Sequence, residues 1–170
     1  ESGRSLISKG LLREAREVAR QNVRALQGRV TVEAPLVGLE PSALLGFRDE
    51  YPLLVGAELK AAAEALAPNC LLFEEWIARE AKAGRIAAED FGDAPAEILV
   101  HGHCHQKALS GMEAAVAALS LPRGHRVRTI PSGCCGMAGA FGYEKEHFAV
   151  SQQIGELVLL PTVRAAGAET

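Results

Sequence analysis

A chain of 170 residues, 48% hydrophobic and 23% charged, is long enough to bury a core without disulfide staples and has the balance of a folded globular protein, not a disordered or fibrous one. Its 18 basic and 21 acidic side chains are interleaved, as in "LLREAREVAR", so the basic surface that drives nucleic-acid binding is missing. No apolar run reaches the roughly 20 residues that cross a bilayer and no secretory signal is visible, which predicts a cytoplasmic protein without a transmembrane segment.

From residue 5 to 26, apolar residues return at helical spacing (Leu11, Leu12, Ala15, Val18, Ala19, Val23, Leu26), predicting one amphipathic helix ended by Gly28. "RVTVEAPLVGLEP" then predicts a short β-branched strand, broken by Pro35 and leading into a loop. Ser42 reads as the N-cap of a helix in "ALLGFRDEY". A further helix is expected from about Val55 to Ala67, stopped by Pro68, and another in "LLFEEWIAREAKAG", ended by Gly84. Further on, the pattern predicts a strand over Ile98–Val100, a helix from about Ser110 to Leu119 and a strand over Val127–Ile130. A long helix from about Tyr143 to Ala166, kinked or divided at Pro161, completes the chain.

Strands alternating with helices predict an α/β fold with a mainly parallel sheet covered by helices on both faces. A faint internal repeat aligns Gly3 with Gly136, setting Glu1 and Ser2 opposite Cys134 and Cys135. The expected organisation is a single domain of two Rossmann-like repeats, about 1–95 and 96–170, with the chain ending inside the second. Because it opens on Glu1 and not Met, it is expected to be a fragment of a larger chain.

In such folds ligands gather at the carboxyl ends of strands. "HGHCHQK" and "PSGCCGMAG" both lie there, so Cys104 and the adjacent pair Cys134 and Cys135 can meet at one sheet edge, a plausible metal or cluster site. Gly133 and Gly136 leave room near the main chain, and the N-terminus of the helix expected after the pair would favour thiolates, the metal-binding form. Cys70, just ahead of an apolar helix, reads instead as a buried small hydrophobe. His101, His103 and His105 flank Cys104; in an extended segment all three share the face opposite it, so at most one or two line the site. His125 and His147 read as surface positions. The pairs Glu74/Glu75 and Glu89/Asp90 read as solvated helix faces. "GMAGAFG" is not a dinucleotide fingerprint, and no hydrolase elbow or zinc-protease helix is present.

The combination of "HGHCHQKAL" with "IPSGCCGMAGAFGYE" resembles the cysteine-rich CCG domain of glycolate oxidase iron-sulfur subunits, FAD-linked D-lactate dehydrogenases and heterodisulfide reductase. "GRSLISKGLLREAR" and "VGLEPSALLGFRDEYP" extend the resemblance over nearly the whole chain. It implies a duplicated α/β domain whose cysteines hold an iron-sulfur cluster or zinc, with Cys104, Cys134 and Cys135 at the matching positions; His103 and His105, read from their place beside Cys104, are the candidate further metal ligands. It implies FAD in a separate domain or subunit, and electrons from a 2-hydroxy acid of glycolate or D-lactate type passing through this domain to an acceptor. The fragment alone would not be catalytic, and partners would hold it at the inner membrane periphery. The chain departs from the pattern in its first repeat, with Glu1-Ser2-Gly3 for C-C-G and Glu40-Pro41-Ser42-Ala43 for E-P-S-C. In relatives another cysteine motif follows the position of Thr170. Two alternatives stand beside this reading: a non-redox scaffold, zinc-binding or metal-free, that docks a partner subunit, and thiol-disulfide exchange between Cys104 and one of the pair.

Overall fold

The computed structural model describes residues 1–166 of an α/β protein; the last residues of the expected second repeat, 167–170, lie outside the described residues. The chain divides into two compact units, Glu1–Trp76 and Ile77–Thr170.

The first unit opens with α1 (Arg4–Ser8) and α2 (Leu12–Leu26), two helices where the periodicity predicts one. Hydrogen bonds from Leu11 N–H to the Leu6 carbonyl (2.9 Å) and from Gly10 N–H to the Ile7 carbonyl (3.0 Å) close α1 in a Schellman-type turn. α2 buries Ala15, Ala19 and Val23, a stripe at four-residue spacing. The β-branched run after it is not a strand. Thr31 curls it into a turn, donating its N–H to the Ala34 carbonyl (3.0 Å) and accepting at Oγ1 from the Glu33 and Ala34 amides (3.2 and 3.1 Å). The strand β1 is Leu36–Gly38, beyond Pro35.

Glu40, not Ser42, caps α3 (Pro41–Leu45): its carboxylate accepts from the amides of Ser42 (3.0 Å) and Ala43 (2.7 Å), with Pro41 in the first turn. α4 (Glu50–Leu54) and α5 (Ala57–Leu66) carry the chain over to β2 (Cys70–Leu72), which occupies the start of a segment expected to be helical. β2 runs parallel to β1, from Leu36 opposite Cys70 to Gly38 opposite Leu72. Around this pair Val23, Leu45, Tyr51, Val55 and Leu72 form a buried core, in which each large apolar side chain contributes about 1.5–3 kcal/mol. The Tyr51 ring lies 4.3 Å from that of Phe47, and its hydroxyl donates to the Ser2 carbonyl (2.9 Å) while accepting from Asn22 Nδ2 (2.6 Å). Burying this phenol therefore leaves no polar atom of the ring unsatisfied. Glu75, expected to be solvated, is gripped by Arg48 and accepts from Leu72 N–H (2.8 Å); Arg48 Nε in turn donates to the Cys70 carbonyl (2.7 Å). This ion pair fastens the end of β2 to the start of α6 (Phe73–Lys82).

In the second unit, β3 (Ala96–Val100) is followed by α7 (Cys104–Leu109) and α8 (Glu113–Leu119), then by β4 (His125–Thr129). β4 pairs parallel with β3 in unbroken register, from Ala96 opposite His125 to Val100 opposite Thr129. In both units, helices make the crossover that parallel neighbours require. The chain then forms α9 (Phe148–Glu156) and α10 (Leu159–Ala165). The expected long helix thus starts later and divides at Leu157 and Val158. Pro161 lies inside the first turn of α10, where a missing N–H removes no helical hydrogen bond. Among the described residues, no helix is long and apolar enough to cross a membrane.

At the end of α6, Arg85 Nη2 donates to Glu80 Oε1 at 2.9 Å and Arg79 Nε to the same oxygen at 3.1 Å. The hydrogen bond from Arg85, with support from Arg79, holds the Glu80 carboxyl down at about 2 from its ordinary 4.5. A depressed carboxyl stabilises the fold above its unfolded pKa and loses that stabilisation as pH falls toward the folded value. Glu80→Gln is therefore expected to lower stability at neutral pH, with the gap to wild type closing between pH 4.5 and about 2 in urea unfolding curves.

Candidate functional site

Parallel pairing with aligned ends sends the chain out of β3 and β4 on the same side, after Val100 and Thr129. Cys104 is the first residue of α7 and is exposed. Cys134 and Cys135 follow β4 on an irregular loop and are half-buried; all four cysteines are unbridged. The segment around Cys104 is not extended, because the helix begins on it. His103 is the N-cap, its Nδ1 accepting from His105 N–H at 3.2 Å, and His105 is the second helical residue. His101 precedes the helix and shares a 2.6 Å hydrogen bond between Nδ1 and Ser132 Oγ. Burial, with smaller contributions from Lys107 and His103, holds the His101 imidazole below its ordinary pKa.

Two polar residues that the pattern of cysteines and histidines does not reveal tie these loops together. Lys107 Nζ donates to the carbonyls of Ser132 (2.7 Å) and Gly133 (2.6 Å), the two residues before the cysteine pair. Ser132, 7% exposed, holds His101 on its hydroxyl and Lys107 on its carbonyl. In the sequence Lys107 looks like any surface lysine; its only signal is the spacing of three from Cys104, which sets both on one face of a helix.

The turn bearing the pair is fixed by packing. Gly136 has φ of +93°, its N–H donates to Cys134 Sγ (3.3 Å), and a Cβ there would lie 2.2 Å from the Ser151 carbonyl oxygen of α9. α9 thus lies beside the turn, and its N-terminus, thirteen residues beyond Cys135, does not follow the thiols as expected. His147, expected at the surface, stacks at 4.1 Å on Phe141 and pairs with Glu144. Cys70 is fully buried, its Sγ 3.4 Å from the Leu66 carbonyl, and burial pushes its thiol up to about 11.

The first unit holds a glycine of similar conformation. Gly3, expected to match Gly136, also has positive φ, +71°. Glu1, Ser2 and Ala43 all line one cavity of about 380 Å³ beside Val37 and Gly38 of β1.

By donor type the second-unit loops suit a soft metal centre, offering three thiols and neighbouring imidazoles. Cys104, Cys134 and Cys135 do not form a set of ligand atoms all within 4.8 Å of one another among the described residues. A single tetrahedral zinc, about 2.3 Å from each sulfur, needs them about 3.8 Å apart; a cluster of several irons spans its thiolates more widely.

Fold and site together define a class: an α/β protein with cysteine-bearing loops at the carboxyl ends of adjacent parallel strands. Its sequence is 31% identical over 157 residues to the D-2-hydroxyglutarate dehydrogenase of Escherichia coli strain K12, covering 92% of this chain and 14% of that protein. It is 27% identical over 154 residues to one subunit of the anaerobic glycerol-3-phosphate dehydrogenase of the same strain, covering 90% of this chain and 37% of that subunit. A D-2-hydroxyglutarate dehydrogenase from Pseudomonas putida is 29% identical over 160 residues. No family model and no solved structure matches. The chain therefore spans well under half the length of these relatives.

The environments of the cysteines and of Gly136 lead to two expected outcomes. In the folded chain Cys104, Cys134 and Cys135 should react with an alkylating reagent, and Cys70 only after denaturation, as mass spectrometry of labelled peptides will record. Gly136→Ala forces a Cβ against Ser151 at a left-handed φ and should cost at least about 2 kcal/mol in urea unfolding.

Proposed function

We propose that this chain is an iron-sulfur electron-transfer domain of an FAD-linked dehydrogenase acting on a 2-hydroxy acid, with Cys104, Cys134 and Cys135 as thiolate ligands. The observation that carries the reading is the delivery of these three thiols, on two loops clamped by Lys107, to the same end of a parallel strand pair. The relatives support it in a particular way. Two proteins named for different substrates, D-2-hydroxyglutarate and glycerol 3-phosphate, each align with about nine-tenths of this chain. What they share is then independent of substrate, as electron transfer is and substrate oxidation is not. One relative is named as a subunit, which supports assembly with a partner; in this reading the partner carries the flavin and an acceptor takes the electrons.

A cluster bound here supplies one-electron transfer. The chain's own residues do the rest. Cys104 presents its thiol from the first turn of α7, and the Gly136 turn directs Cys134 and Cys135 from the neighbouring loop. His103 and His105 lie next to Cys104 in sequence and offer nitrogen donors for a remaining position. A fourth ligand would come from another segment on this reading: Ala43, where the resemblance expects a downstream cysteine, lines the same cavity as Glu1 and Ser2.

A second reading, zinc-binding or metal-free scaffold, is favoured by the packing of Gly136 on Ser151, which accounts for the turn without any metal. Anaerobic reconstitution with iron and sulfide separates the two. The electron-transfer reading expects stoichiometric iron and sulfide with a paramagnetic signal on reduction. Cys104→Ser or Cys134→Ser should weaken iron retention more than about tenfold, since even groups that only support ligands cost that much, and Cys70→Ser should leave the signal intact. Stoichiometric zinc without sulfide, or a Cys134→Ser signal identical to wild type, would overturn it.

A further inference from the structure

Lysine side chains ordinarily extend into water, because an ammonium is strongly hydrated and its stem is flexible. Lys107 instead directs Nζ onto two consecutive backbone carbonyls, Ser132 at 2.7 Å and Gly133 at 2.6 Å. Charge-assisted hydrogen bonds of this length are stronger than neutral ones. The acceptors lie two residues and one residue ahead of Cys134, so fixing them fixes where the pair begins. The donor lies three residues after Cys104 on α7, on the same helical face. One side chain thus spans from the helix that presents the first thiol to the loop that presents the other two. The bond from His101 to Ser132 Oγ reinforces the same junction from the segment that follows β3.

We infer that Lys107 is the positioning residue of the cysteine site, holding the loop of Cys134 and Cys135 in register with Cys104 and setting a fixed positive charge beside the thiols. The charge has a chemical consequence that rests on the electron-transfer reading. Three thiolates gathered at one place repel one another, and a cation held next to them offsets that repulsion and favours the reduced, more negative state of whatever they bind. The clamp itself does not depend on that reading. Lysine suits the role better than arginine, since a compact ammonium can reach two adjacent carbonyls that a planar guanidinium fork cannot approach in the same way.

The test compares wild type, Lys107→Met and Lys107→Arg in the full chain by two measurements. The first is amide hydrogen exchange in the metal-free protein. Lys107→Met should speed exchange at residues 132–136 by at least about tenfold, while amides in the core around Leu45 and Tyr51 keep their wild-type rates. The second is the reduction potential of the iron- and sulfide-reconstituted protein. Lys107→Met should shift it to more negative values, and Lys107→Arg, which retains the charge, should bring it back toward wild type. Unchanged exchange in Lys107→Met overturns the clamp, and faster exchange with an unchanged potential overturns the electrostatic role. If wild type takes up no iron and sulfide while Lys107→Met still exchanges faster, the electron-transfer reading fails and the positioning role stands. If wild type loads and neither measurement responds, the reading stands and the inference fails.

Discussion

Everything at the candidate site depends on the parallel, in-register pairing of β3 and β4. Parallel strands cannot be joined by a hairpin, so the chain must leave Val100, cross through α7 and α8, and return along β4 in the same direction. Both strands then end on one side, about 4.8 Å apart, and the next few residues of each are neighbours whatever their identity. Cys104 lies four residues past the end of β3 and Cys134 five past the end of β4. An antiparallel arrangement of the same strands would send these thiols to opposite ends of the sheet. Pairing supplies proximity only, and the finer alignment falls to Lys107, Ser132 and His101.

The turn and the thiols answer to different constraints. Gly136 is required by its positive φ and by the approach of Ser151, so α9 dictates its identity as a matter of packing. Nothing comparable requires sulfur at Cys134 or Cys135: both are half-exposed, and the Cys134 thiol accepts one backbone amide that a hydroxyl oxygen would accept as well. Cys70 is the reverse case. It is sealed in the core with its thiol held protonated, so its sulfur acts as volume.

This separation explains how much the sequence made legible. Local periodicity was enough for α2, whose Ala15, Ala19 and Val23 stripe is the buried one, for α5 with its run of strong helix formers, and for β3, an apolar run between turn signals. Where neighbours in space decide, local pattern misled. Val30 and Val32 have strand propensity, yet the Thr31 side chain bonds its own backbone first, and the strand forms after Pro35. Leu71 and Leu72 read as the start of a helix until β1 offers a pairing edge. Glu40 takes the cap from Ser42 because its longer carboxylate reaches two amides at once. The cysteine positions were visible as composition, but the lysine that joins their loops was not, since its partners are backbone carbonyls and those carry no sequence signature.

The first unit carries this reasoning one step further. Gly3 has a left-handed conformation, as Gly136 does, and Glu1, Ser2 and Ala43 surround a single cavity although none of them can bind a metal as a thiolate does. The backbone that gathers these three positions is therefore stable without a metal bridging them. Tyr51 holds it by donating to the Ser2 carbonyl, and Asn22 by donating to the Glu1 carbonyl and to the Tyr51 oxygen. A fold that forms its loops by packing and hydrogen bonding presents side chains to a site already shaped, so the side chains there can differ while the geometry stays. By the same logic the loops of the second unit are organised by Lys107, Ser132 and Gly136 before any group is bound, which lowers the ordering cost that three thiols would otherwise meet on capture of an ion or cluster.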